Sequence, residues 1–219
     1  MWKHGIYKNL SPDIKSLSAQ YTLKRFMEQE EVKELKKLYP LLNQDDEQTK
    51  KEIINGNWRN RLAGRGMNQQ SYNKFVRALG YHCLPTLNHP LWLLAQDKRI
   101  FIKSPGKIIR SLPTQIQKHL VKGKISRKAT FKDFSAVAKQ SYKQQRKAFF
   151  NLHNIDGYTA LLITSLIQRI IWKKGSTENS KNLATDLFEE LFIERFPLKN
   201  RDILAYKVAL LLNQNIDDK

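Results

Sequence analysis

The chain has 219 residues, 41% hydrophobic and 27% charged, with 39 Lys+Arg against 20 Asp+Glu and a formal net charge of +19. This apolar content predicts a folded core and excludes a disordered basic tail. The single cysteine, Cys83, excludes an intramolecular disulfide and every multi-cysteine zinc module.

The start, Met1-Trp2-Lys3-His4, leads into no apolar run, and the greasiest stretch, Tyr158 to Trp172, is interrupted by Gln168 and Arg169. A soluble, cytoplasmic protein without a membrane partner is expected. The excess charge is concentrated. Between Ile53 and Ile155 the only acidic residues are Asp97 and Asp133, against 20 Lys and Arg, while the flanking segments are almost neutral. Globular surfaces normally mix both signs, so this exclusion of carboxylates predicts a surface for a polyanion. Three regions follow: an N-terminal helical region (1–56), a basic nucleic-acid-binding region (57–153) and a C-terminal three-helix bundle (154–219).

In chain order, Ser11-Pro12-Asp13 reads as a helix start, and Ile14, Leu17, Tyr21 and Met27 keep helical spacing behind it. Val32, Leu35, Leu38 and Tyr39 continue the pattern until Pro40. Asp45-Asp46-Glu47 opens a short helix ending near Ile54, with Asn55-Gly56 as its stop.

From Asn57 to Gly66, three arginines (Arg59, Arg61, Arg65), two glycines and Trp58 resemble no regular element. Arg is the side chain best shaped for phosphate forks and stacking, so these residues are candidate contacts. For Trp58, packing into the core is the competing reading. Asn68 to Leu79 is a helix with Tyr72, Phe75, Val76 and Leu79 inward, Gly80 as its stop, and Lys74 and Arg77 outside.

A short apolar helix around Pro90 to Ala95 precedes the segment Arg99-Ile-Phe-Ile-Lys103, Ser104-Pro-Gly-Lys107, Ile108-Ile-Arg-Ser-Leu112. Pro and Gly at the two central turn positions and β-branched flanks predict a β-hairpin over 99–112, with Arg99, Lys103, Lys107 and Arg110 on its rims. The expected fold is therefore mainly α with one β-hairpin, in an element order resembling a winged helix.

Lys122, Lys124, Arg127 and Lys128 make a basic connector. Thr130 to Asp133 has the form of a capping box opening one helix to about Leu152. On that helix Phe131, Phe134, Ala138, Tyr142, Phe149 and Leu152 fall on one side, and Lys132, Lys139, Lys143, Arg146 and Lys147 on the adjoining one, without acidic partners. Beyond His153, helices are expected from Asp156 to Trp172, Asn182 to Arg195 and Arg201 to Leu212. The first is apolar over most of its circumference and so belongs in a core. The C-terminal helices are expected to serve a protein partner or self-association.

No phosphate loop, Gly-x-Ser-x-Gly elbow or dinucleotide fingerprint occurs, so no cofactor is expected. His82, Cys83 and His89 match no zinc module, and no metal site is expected. The reading is a non-enzymatic protein gripping the phosphate backbone of DNA or RNA, as a subunit of a larger nucleoprotein complex of mobile-element or defence type. The alternative is a nuclease. Arg146 to His153 and Arg77 to His82 both fit an Arg-x4-6-His pattern and in this resemble HEPN ribonucleases. That resemblance implies metal-free acid–base chemistry on RNA by Arg146 and His153 or by Arg77 and His82. The other form of the alternative is a metal-dependent nuclease with ligands not evident in the sequence: the basic region offers only Asp97 and Asp133, so such a site would borrow acids from either terminus.

Overall fold

The computed structural model describes residues 6–42, 50–51, 53–121, 123, 125–126, 129–172 and 178–213, and among these every regular element is helical. Two compact units emerge. The first is made of Trp2–Trp92 with Phe196–Leu204, the second of Leu93–Arg195 with Ala205–Lys219.

The first unit is built on α1 (Pro12–Gln29), where Pro12 occupies the first turn behind an extended Ser11 and Asp13 meets the positive helix end. Ile14, Leu17 and Tyr21 are buried as their spacing predicts and Met27 is half-buried, but Leu23, Ser16, Ser18, Gln20 and Thr22 are buried too. Those polar groups are paired rather than exposed. Ser18 Oγ donates to the Leu87 carbonyl (2.6 Å), and Gln20 Oε1 accepts from the Lys199 N–H (2.8 Å). The run containing Leu35 and Leu38 is a 3-10 turn, Leu35–Leu41, which continues through Pro40.

The expected Asp45–Ile54 helix lies largely outside the described residues. Its supposed stop does not act as one, because a π-helical turn, Ile53–Trp58, carries the chain through Gly56 into α2 (Arg59–Leu62). The irregular arginine loop is therefore in good part helical. It breaks only afterwards, near Gly64, whose φ of +85° favours glycine. α3 (Gln69–Leu79) begins as expected, with Asn68 accepting from the Ser71 N–H (2.8 Å), and ends at Gly80. Tyr72, Phe75, Val76 and Leu79 are buried. A 3-10 turn leads into α4 (Leu84–Leu87), and both α2 and α4 pack on α1.

α5 (Pro90–Gln96) precedes the segment read as a hairpin, and no hairpin forms. Residues 98–109 are two short helices, α6 (Lys98–Lys103) and α7 (Pro105–Ile109). Asp97 caps α6 by accepting from the Arg99 N–H (2.9 Å), and Pro105 supplies a ready-made first turn for α7. Gly106 is present for closeness, not for a type II turn. It does not have the positive φ such a turn requires, and a Cβ there would lie 2.5 Å from the Ser126 carbonyl oxygen. Phe101, Ile108 and Ile109 are almost fully buried, with Lys103 and Lys107 outward. With no strand among the described residues, the winged-helix comparison falls with the hairpin.

After α8 (Thr114–Leu120), the helix expected from Phe131 to Leu152 is broken into four pieces. A 3-10 turn (Phe131–Phe134), α9 (Ser135–Ala138), α10 (Tyr142–Ala148) and a second 3-10 turn (Phe150–Leu152) replace it. The break before α10 is a new start. Ser141 and Gln144 form a reciprocal capping box, while at Thr130 only the Asp133 half is made, its carboxylate accepting from the Thr130 N–H (2.7 Å). Phe134, Ala138 and Phe149 are buried as expected, but Tyr142 is 40% exposed, because α10 does not inherit the register of α9.

α11 (Ile155–Trp172) is the centre of the second unit, with every residue from Tyr158 to Gln168 buried. Asn154, ahead of its first residue, caps it by accepting from the Gly157 N–H (2.9 Å). It packs on α8, α9 and both 3-10 turns as well as on α12 (Glu178–Glu189), so the C-terminal helices share a core with the basic segment. α12 continues into a π-helical turn, Glu190–Arg195, and α13 (Arg201–Asn213) closes the described chain. No described helix is long and apolar enough to cross a membrane.

The Tyr158 hydroxyl has no hydrogen-bond partner among the described residues, and burial pushes the phenol far above its usual pKa. An unpaired buried hydroxyl costs about 1–3 kcal/mol. Tyr158→Phe is thus expected to raise unfolding stability by about 1 kcal/mol in urea titrations, and a loss of similar size would reveal a partner for the hydroxyl.

Candidate nucleic-acid interface

In the second unit, α10 fixes the main cluster of cations. The capping box sets where the helix starts, and buried Gln145, donating to the Gln140 carbonyl (2.9 Å), sets which way it faces. Lys143, Arg146 and Lys147, spaced i, i+3 and i+4, then share the exposed side. Lys139, just beyond α9, is also exposed. Gln140 Nε2 donates to the His119 carbonyl (2.7 Å), bringing the end of α8 and its exposed Lys118 to the same place. Lys118 was missed by sequence reasoning, although Ile116 and Leu120 inward would have placed it outward. Among the described residues, no ion pair joins Lys139, Lys143, Arg146 or Lys147 to a carboxylate.

Arg99, Lys103, Lys107 and Arg110 are exposed on α6, α7 and the following turn rather than on hairpin rims. Arg99 is neutralised locally, its Nε lying 3.0 Å and 3.1 Å from the two Asp97 carboxylate oxygens. Burial alone would raise the Asp97 carboxyl, but the Arg99 hydrogen bonds and charge, with Lys103 beyond, hold it below the usual carboxylate range.

In the first unit the arginine segment separates into two kinds of residue. Trp58 is fully buried, its ring 6.0 Å from that of Phe75. Arg61 is only 6% exposed, donates from Nη1 to the Arg65 carbonyl (2.8 Å), and is lowered in pKa by burial. Neither presents a surface to a ligand, whereas Arg59, Arg65, Lys74 and Arg77 do. Arg61→Ala is therefore expected to cost about 2 kcal/mol of stability in chemical denaturation, and Arg59→Ala less than about 0.5 kcal/mol. Equal effects would contradict this division.

The two Arg/His pairs differ in their surroundings. His82 is exposed and stacks on Phe26 with ring centroids 5.9 Å apart, and no bond joins it to Arg77 among the described residues. His153 sits in a left-handed conformation (φ +47°) after the second 3-10 turn, its ring Nδ1 2.8 Å from both Glu190 carboxylate oxygens. Arg195 Nη1 donates to the His153 carbonyl (3.0 Å), so the two ends of the π-helical turn hold this one residue. Phe150 meets the His153 ring edge-on at 5.5 Å, and the Arg146 guanidinium lies 5.7 Å above the Phe150 ring.

Among the described residues no three His, Cys, Asp or Glu side chains gather to hold a metal ion. Burial pushes the Cys83 thiol up to about 12, and His89 Nδ1 accepts from the Leu91 N–H (3.2 Å). Of the remaining sequence candidates, Lys132 belongs to the first 3-10 turn. Lys122, Lys124, Arg127 and Lys128 lie outside the described residues. No family model, curated protein or solved structure matches this chain.

Proposed function

We propose that this protein binds nucleic acid through its phosphate backbone, with Lys139, Lys143, Arg146 and Lys147 of the second unit as the principal contacts and Lys118 beside them. The observation that carries the reading is that these cations are exposed and joined to no carboxylate among the described residues. A solvated helix face usually interleaves acids one turn away, and here the surrounding sequence excludes them. Each phosphate neutralised releases condensed counterions, so affinity falls by roughly 0.7–0.9 log units per log unit of salt per contact. Fluorescence anisotropy with labelled oligonucleotides across a salt series tests the reading. A slope of about −3 or steeper supports it, while weak binding at low salt or a flat slope overturns it.

The His153–Glu190 contact favours a second reading, cleavage of RNA without a metal. Glu190 would orient the imidazole through Nδ1, leaving Nε2 for the 2′-hydroxyl, and Arg146 would lie beside the developing charge. Incubation with labelled RNA in chelator checks it. Cleavage abolished by both His153→Ala and Glu190→Gln establishes the reading, and intact RNA at high enzyme concentration removes it.

A further inference from the structure

The backbone reading leaves open which strand form is held, and the residues interleaved with the cations on α10 bear on that. Tyr142 is 40% exposed, a large ring open to solvent, and it lies one turn before Arg146 on the same helix face. Phe150 follows four residues later and is half-buried. Its ring carries the Arg146 guanidinium over one face, and the exposed His153 ring meets it edge-on. Tyr142, Arg146, Phe150 and His153 thus put four flat π groups among Lys139, Lys143 and Lys147.

We infer that this patch is a binding site for unpaired bases, so that the ligand of the second unit is single-stranded nucleic acid. The inference rests on the proposed backbone binding and adds its strand selectivity. A duplex turns its phosphates outward and keeps its base faces stacked inside, where protein rings cannot reach them. A single strand offers both to one surface. Exposed aromatic rings next to a phosphate track are useful only to the second kind of ligand.

The dimensions agree. Tyr142 and Arg146 lie one turn apart on α10, a rise of about 6 Å, and Phe150 carries the ring surface on from Arg146 past the end of that helix. With nucleotides spaced at about 3.4 Å along a stacked strand, that rise spans about two of them. Tyr142 and the Phe150–Arg146 pair would therefore bracket a short run of bases while Lys139, Lys143 and Lys147 neutralise the phosphates between them. Planar guanidinium stacks on bases as readily as an aromatic ring does, so Arg146 extends the Phe150 surface rather than blocking it. Every base has a π face, so the site selects strand form rather than sequence.

The test uses the full chain with four fluorescein-labelled probes: a 12-nucleotide single strand in DNA and RNA form, and a hairpin duplex in each form with the same number of phosphates. At fixed moderate salt, both single strands are expected to bind at least tenfold tighter than the hairpins. Tyr142→Ala and Phe150→Leu should each weaken single-strand binding by about tenfold, leaving the salt slope and hairpin binding unchanged, since stacking is worth about 1–3 kcal/mol per base. Hairpins bound as tightly as single strands overturn the inference, as do aromatic variants that bind like the parent. If Phe150→Leu lowers the thermal midpoint, exposed Tyr142→Ala decides alone. Loss of binding to all four probes at low salt overturns the backbone reading instead, so the two failures are distinct.

Discussion

Replacing Lys139, Lys143 and Lys147 together by Glu is expected to lower nucleic-acid affinity by on the order of 100-fold or more at low salt, with unfolding stability unchanged. All three side chains are exposed and joined to no carboxylate among the described residues, so no folded-state interaction is lost with them. Each lost phosphate contact removes on the order of 1 kcal/mol, and about 1.4 kcal/mol is tenfold in affinity. The salt slope should flatten by about 0.7 for each lysine, or roughly two in all for a single strand. Charge reversal elsewhere is a control with a different outcome. Lys33, Lys36 and Lys37 lie in a segment that also holds Glu28, Glu30, Glu31 and Glu34. Their replacement should change affinity by less than about threefold, since the carboxylates interleaved with them already balance their charge. Equal losses from both triples would mean that net charge, and not this face, binds the ligand.

Gly157→Ala is expected to be among the most destabilising single substitutions, at about 3 kcal/mol or more. Its added Cβ would run into the Phe149 carbonyl oxygen and lie 3.2 Å from Leu152 Cβ. Neither neighbour can move cheaply. Phe149 is fully buried, and its N–H is tied to the Gln145 carbonyl (2.9 Å). Overpacking against backbone costs about 1–3 kcal/mol or more, out of a total stability of about 5–15 kcal/mol. Gly56→Ala is the comparison, because nothing lies within 4 Å of a Cβ there. It should be neutral or stabilising by up to about 1 kcal/mol. Urea denaturation of the two variants checks both, and similar midpoints would show that the Phe149 turn yields freely.

What could be read from the sequence follows how many signals agreed at each place. α3 had four apolar residues at helical spacing and a glycine stop, and both are as expected. α11 announced its central place through an apolar circumference that only a core can cover. The segment 99–112 misled because a short run of Ile and Phe suits a buried strand and a buried helix equally. Asp97 before it and Pro105 inside it are helix starts that the turn pattern at Pro105-Gly106 concealed. The cationic helix misled in another way. Its angles assumed continuity, while Ser141 and Gln144 held a second capping box that restarts the register. Trp58 and Arg61 shared composition with exposed Arg59 and Arg65, and only burial separates them. Glu190 had no local signal at all, being 37 residues from the histidine it holds.

The restart at Ser141 has a consequence for motion. A seven-residue helix closes few of its own i to i−4 bonds, and α10 starts afresh at its own capping box rather than extending a longer helix. Its amides should therefore exchange with deuterium through local opening, far faster than those of Tyr158 to Gln168, which open only when the whole unit does. A ligand that settles on Lys143, Arg146 and Lys147 would close that opening. Slowed exchange confined to residues 142–148 would then locate the contact without any label on the ligand and without a single substitution in the protein.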